Sequence, residues 1–175
     1  LDLRRGVLER RARIRDRQGR ETSLVSRRIV HMGAPHLAAI ELTLVPENWS
    51  GRMEVRSALD GRIVNAGVER YKQLGGKHLT GLETDTFDAN GLVLVAETSQ
   101  SRLRIAEAAR TSVLADGVPV AVQSRIEKHA DFVGQEIGFD VVHGMPVTIE
   151  KVVALHTSRD RAISEPVSSS IHAAG

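Results

Sequence analysis

A period of two, interrupted at short intervals by turn-forming residues, constrains this chain more than any other feature. Ala38, Ile40, Leu42 and Leu44 fall on one face of an extended segment, and Glu41 and Thr43 fall on the other. Met53, Val55, Ser57 and Leu59 repeat the pattern against Arg52, Glu54 and Arg56, and Ile137, Phe139 and Val141 do so again. Spacers at 16–19, 33–35, 46–51, Asn90-Gly91, Asp116-Gly117 and His143-Gly144 carry the residues that tight turns require. Asn-Gly in particular supplies the positive φ values of a two-residue hairpin. The spacers bound apolar-alternating segments at 7–15, 24–31, 37–45, 53–59, 92–98, 120–127, 132–142 and 147–156. Short runs of period two with regular turns predict an all-β fold, an antiparallel sandwich or barrel of about nine or ten strands.

Two stretches fit that pattern less well. Residues 101–113 are rich in Ala and good helix formers, yet Leu103, Ile105, Ala109 and Val113 also suit a strand, and a strand is expected because a gap would otherwise open between its neighbours. Residues 67–77 show no strand pattern and are expected to hold a turn of helix. The end of the chain, with Ser168 to Ser170 and a closing Ala-Ala-Gly, is expected to be a linker or disordered tail over 164–175, leaving 1–163 as one β domain. At 175 residues the chain has room for one domain with a core of its own. It opens inside a patterned segment, LDLRRGVLER, and is expected to be a piece of a longer protein.

Composition narrows the function classes. No apolar run approaches the roughly 18 to 20 residues that a bilayer crossing needs, so no membrane partner is expected. With no Cys the chain has neither a disulfide framework nor thiolate metal ligands, and the expected location is cytoplasmic. Residues 1–28 hold ten Arg against four acids, a local charge of +6 that raises the question of nucleic acid. The arginines alternate with apolar residues, however: Leu8, Ala12 and Ile14 share one face and Arg11, Arg13 and Arg15 the other, as on the solvated side of a sheet. Aromatic residues are only 3%, which weighs against the stacking platforms of single-strand nucleic-acid binders and of free-standing sugar modules.

Candidate chemistry is sparse. His31 and His36 are close in sequence, but their spacing fits no common ligand pattern, and no metal or other cofactor is expected. Asp85 and Asp88 invite comparison with the paired carboxyl groups of glycoside chemistry, but exposed acids at a turn explain them more simply. Neither a phosphate-cradling glycine loop nor a nucleophile elbow is present, so no catalytic residue is assigned.

The segment NWSGRMEVRSALDGRIVNAGVERYKQLGGKHL, residues 48–79, resembles the N-terminal domain of glycoside hydrolase family 65, the family of maltose, trehalose and kojibiose phosphorylases and related hydrolases. Four further blocks stand in that family's order: LDLRRGVLERRARIRD, SRRIVHMGAPHLAAI, QSRLRIAEAAR and IEKVVALHTSRD. The resemblance implies a galactose-mutarotase-like super-sandwich, incomplete here because upstream strands and a helical-barrel catalytic domain are absent. It places the general acid and the phosphate site in that barrel, where phosphate or water attacks as the glycosidic oxygen is protonated. What it implies for this chain is a non-catalytic accessory domain. Its partners would be the barrel of the same polypeptide, a second subunit in a homodimer, and disaccharide only in the full-length protein. Within the best-matched block Asp60, Arg62, Asn65, Arg70 and Tyr71 are the candidate interdomain or loop-shaping residues, and Asp60 and Asn65 have side-chain oxygens suited to tying down turn amides. Two alternatives remain open: an independent carbohydrate-binding module, and a nucleic-acid-binding domain using the basic first strands.

Overall fold

The computed structural model describes residues 1–65, 76–160 and 165–175. These residues form strands β1 (Val7–Arg15), β2 (Glu21–Val30), β3 (Leu37–Pro46), β4 (Gly51–Asp60), β5 (Leu79–Phe87) and β6 (Gly91–Thr98). They continue through β7 (Arg104–Ala115), β8 (Val118–Pro119), β9 (Gln123–His129), β10 (Phe132–Val141) and β11 (Val147–Thr157) to one helix, α1 (Pro166–Ala174). An eight-stranded sheet runs in the order β1-β2-β3-β11-β7-β6-β5, with β8 attached to β7, and a three-stranded sheet runs β4-β10-β9. Every pairing is antiparallel. The fold is thus the all-β antiparallel sandwich that the alternation implies.

Alternation decides which residues lie between the sheets. Leu44, Val113, Val147 and Ile149 from the large sheet meet Ile137, Phe139 and Val141 of β10, with Met53 and Val55 of β4 packed alongside. Farther along, Leu92, Leu94, Ala96 and Ala109 meet Leu59 and Val133. Strand β6 is a continuous apolar run because both its faces are covered. Leu92, Leu94 and Ala96 look toward the small sheet, while Val93 and Val95 look toward α1.

That helix corrects the expectation for the tail. Residues 166–174 are neither linker-like coil nor frayed: Pro166 opens the helix, where its missing N–H is no loss, and the Gly175 amide closes it by donating to the Ile171 carbonyl at 3.1 Å. Ala174, Val167 and Ile171 pack on Val93, Val95, Ala106, Ala108 and Ala154. The alanines explain the helix-like composition of 101–113, since small side chains on β7 let a helix lie close to a strand. The strand expected there is present.

Two strands go beyond those expected. Strand β5 escaped notice because a register shift between Thr80 and Glu83, with Gly81 at φ 57°, breaks its period of two. Strand β8 has only two residues. The one helical turn expected over 67–77 lies almost wholly outside the described residues.

The small sheet covers only part of the large one. Strand β4 lies closest to β6 and β7, with the Lys151 side chain of β11 reaching its Ala58 carbonyl, and on β1 to β3 the inner-face residues Leu8, Ile14, Val30 and Ile40 stay exposed. On the opposite face the arginines of β1 and β2 form ladders with acids. Glu9 bonds Arg11 and Arg27 at 2.8 and 2.9 Å, Arg27 reaches Glu41 at 2.8 Å, and Glu21 takes Arg13 at 2.6 Å and also Arg15.

Candidate functional site

The best-matched block ends β4 in a clasp. Asp60 closes the strand, and its carboxylate accepts the Arg62 amide at 3.0 Å, Arg62 Nε at 2.8 Å and Arg62 Nη2 at 2.8 Å. The guanidinium also lies 4.6 Å above the Phe132 ring of β10, the strand partner of Asp60. Gly61 fits tightly between these elements. Its amide donates to Asp131 O at 2.9 Å, and a Cβ there would come within 2.7 Å of Leu82 Cδ2. Beyond the clasp Ile63 and Val64 are exposed, and the Asn65 amide donates to Gly76 O at 2.8 Å, which sets residues 65 and 76 side by side. Arg70 and Tyr71 lie outside the described residues.

The Arg62 guanidinium and amide hold the Asp60 carboxyl down at about 2. Such a group is ionised throughout the physiological range and has its oxygens occupied, so it shapes a loop and has no proton to give. Asp60 and Arg62 are brought together, then, and the Asn65 amide is bonded to Gly76 rather than to either of them.

Strand β4's free edge has its own cation. Lys151 points inward from β11 and donates to Ala58 O at 2.7 Å, and burial lowers its affinity for a proton. Glu107 points inward from β7, and burial raises its pKa against the counter-pull of Lys151. Sequence reasoning passed over both, although each interrupts the apolar face of its strand: Lys151 between Ile149 and Val153, Glu107 between Ile105 and Ala109.

The other candidates separate. Asp85 is taken by Lys128 at 2.8 Å and Asp88 by Arg110 at 2.6 Å, so the two acids do not form a working pair. His31 Nδ1 accepts the amides of Gly33 and Ala34 within its own turn, and His36 turns instead to His156. No group of metal-ligating side chains gathers among the described residues, and no helix there is long and apolar enough to cross a membrane. On the outer face of the small sheet a polar trough of about 500 Å³ is lined by Arg52, Glu54, Gln123, Arg125 and Glu136 over Gly138, with no aromatic ring among its walls.

Comparison with known proteins places this architecture. The N-terminal domain of glycosyl hydrolase family 65 matches residues 1–174. An uncharacterized glycosyl hydrolase of Mycobacterium tuberculosis is 40% identical over 162 residues, which is 93% of this chain and 12% of the relative. The α,α-trehalose phosphorylase and the kojibiose phosphorylase of Thermoanaerobacter brockii are 27% and 26% identical, each across 91% of this chain and 21% of their own length. Among solved structures, a human-microbiome protein provisionally named a kojibiose phosphorylase superposes with a TM-score of 0.80 at 14% identity, covering 99% of this chain and 21% of that one. The chain therefore spans between an eighth and about a fifth of the length of these relatives.

Proposed function

This chain belongs to the family of glycosyl hydrolase family 65 N-terminal domains, and from that premise we propose that it is a non-catalytic accessory β-sandwich of an enzyme that cleaves α-glucosidic disaccharides by phosphorolysis or hydrolysis. Its work is to pack against the remainder of its polypeptide, including a helical catalytic barrel, in the cytoplasm. One observation carries this reading: a sandwich whose second sheet has three strands against eight, with Leu8, Ile14, Val30 and Ile40 exposed on the inner face of the large sheet and the edge of β4 unpaired. The exposed Ile63 and Val64 beside the Asp60–Arg62 clasp add a second contact point, and Asn65, Arg70 and Tyr71 of the same sequence block are assigned an interdomain role by the family resemblance alone. Carbohydrate binding by the domain alone has less support, because the trough over Gly138 has no stacking ring.

The test uses the full polypeptide and the chain side by side. With maltose, trehalose and kojibiose in phosphate buffer, the full polypeptide should release glucose 1-phosphate or glucose and the chain alone should release neither. Changing Ile40 to Glu in the full polypeptide should loosen the packing of the domain and lower activity. Product release by the chain alone, abolished by altering one of its own acids, would refute the proposal. So would full activity and unchanged stability in the Ile40→Glu protein.

A further inference from the structure

Helix α1 is held to the large sheet at a point built from two histidines. His156, near the end of β11, and His36, just before β3, stack with ring centroids 4.0 Å apart and planes 14° from parallel. His36 Nδ1 lies 2.9 Å from Leu155 O and, because a carbonyl only accepts, must carry a proton. The Ser170 hydroxyl of α1, fully buried, donates to Ala106 O at 3.0 Å, so it can only accept from His156 Nδ1 at 3.2 Å. Both neutral rings are thereby fixed as Nδ1–H tautomers, with Nε2 left as the position that takes up a further proton.

The geometry points to an acid-sensitive latch: a proton on the stacked His36–His156 pair loosens α1 from the sheet, while the two-sheet body stays folded. Two protonated rings at this separation would repel, and the buried Ser170 offers His156 one oxygen and no countercharge. Burial and His36 both lower the pKa of His156, and Asp160 opposes them. Since the folded value is depressed, the stabilisation is complete above the ordinary 6.5 and is lost as the pH falls below it.

Most charged groups around the pair are bonded to one another. Asp160 stands 3.8 Å from His36 Nδ1 and accepts the Thr157 amide at 2.6 Å. On β7 the neighbouring cation is Arg104, bonded to Glu165 ahead of α1 at 2.6 Å. On β6 Glu97 is held by Arg102 at 2.7 Å. Within α1 the titratable residue is His172, which is exposed, and Arg159 lies in the turn after β11.

Hydrogen exchange read by mass spectrometry on the full polypeptide tests the latch, with each pH corrected for its intrinsic exchange rate. Protection of residues 167–174 is expected to fall about threefold or more between about pH 7.5 and about pH 5.5, while peptides from β10 keep theirs. The His156→Phe variant keeps a ring to stack on His36 without a titratable nitrogen, and should flatten that pH dependence. If it fails to fold, β10 will lose protection as well, and His36→Phe decides in its place. Unchanged helix protection in the unmodified protein, or an equal fall in the folded variant, would overturn the inference.

Discussion

Replacing Ile137 by Ala tests the reading of β10 as the strand that holds the sandwich together. Ile137 is 1% exposed and packs among Leu44, Val113, Phe139, Val147 and Ile149. The change removes three carbons, about 2.4 kcal/mol of transfer free energy at ~0.8 kcal/mol per CH₂. Collapse around the gap is restricted, because β10 is central and bonded on both sides: Ile137 faces Val55 of β4 and Ser124 of β9. A residual void on the order of 60 Å³ adds about 1.5 kcal/mol, for a loss of ~4 kcal/mol. Ile126 on the adjacent strand is the internal control, since it is 40% exposed and its truncation should cost less than about 1 kcal/mol. Urea unfolding followed by Trp49 fluorescence is a direct assay. Trp49 is the single tryptophan, donates from Nε1 to Glu21 O and Thr22 Oγ1 at 3.1 Å each, and packs on the same cluster as Ile137. A loss below about 1.5 kcal/mol for Ile137→Ala, or equal losses at 137 and 126, would show that β10 does not carry the core.

Further outcomes are expected elsewhere. Ser57 and Thr111 bridge the two sheets at 2.8 Å while almost fully buried, so Thr111→Val should cost about 1 to 3 kcal/mol by orphaning Ser57, and adding Ser57→Ala should recover part of that in the same unfolding assay. Asp60, depressed to about 2, contributes stability that is present above its ordinary 3.8 and lost as the pH falls through about 2; a carboxyl-carbon titration with its midpoint near the ordinary value would contradict the clasp. Ala in place of Leu42 or Val55, at the margin of the main cluster, should cost on the order of 1 to 4 kcal/mol, and a loss under about half a unit would place them outside it. The 175-residue chain by itself should self-associate or melt with little cooperativity, because Leu8, Ile14, Val30 and Ile40 are exposed beside free strand edges; a compact monomer with a sharp melt in sedimentation and calorimetry would refute this.

The strands that were legible in the sequence are those where one face is core and the other is solvent or charge. In β3, Ala38 through Leu44 and the intervening Glu41 and Thr43 define two faces without help from any partner. Strand β5 was hidden because its bulge puts successive apolar residues out of phase, and α1 because a Ser- and Ala-rich end carries a weak apolar signal until Val93, Val95 and Ala108 are seen beneath it. Pairs distant in sequence were invisible for a different reason. Nothing local marks His36 as the stacking partner of His156, or Arg62 as the cover of Phe132; each contact exists only because the sheet order brings those strand ends together. Lys151 and Glu107 were legible in principle, as charges at inward positions of apolar strands.

Those inward charges bear on how the open sandwich avoids faulty pairing. An edge strand with free amides and carbonyls is a template for any other strand, and natural sheets protect such edges with cations or inward-pointing charges. Strand β1 carries Arg10, Arg11, Arg13 and Arg15 along the edge of the large sheet, and Lys151 occupies Ala58 O on the edge of β4. Like edges of two copies would bring arginine against arginine, whereas a strand bearing carboxylates would be attracted to β1. Displacing Lys151 from Ala58 O would return a half-buried ammonium to a more polar setting, which favours its charged form. The β1 edge therefore favours a segment of complementary charge over pairing with an identical copy, so self-association of the chain by itself would run through the exposed Leu8, Ile14, Val30 and Ile40 rather than through arginine-bearing β1.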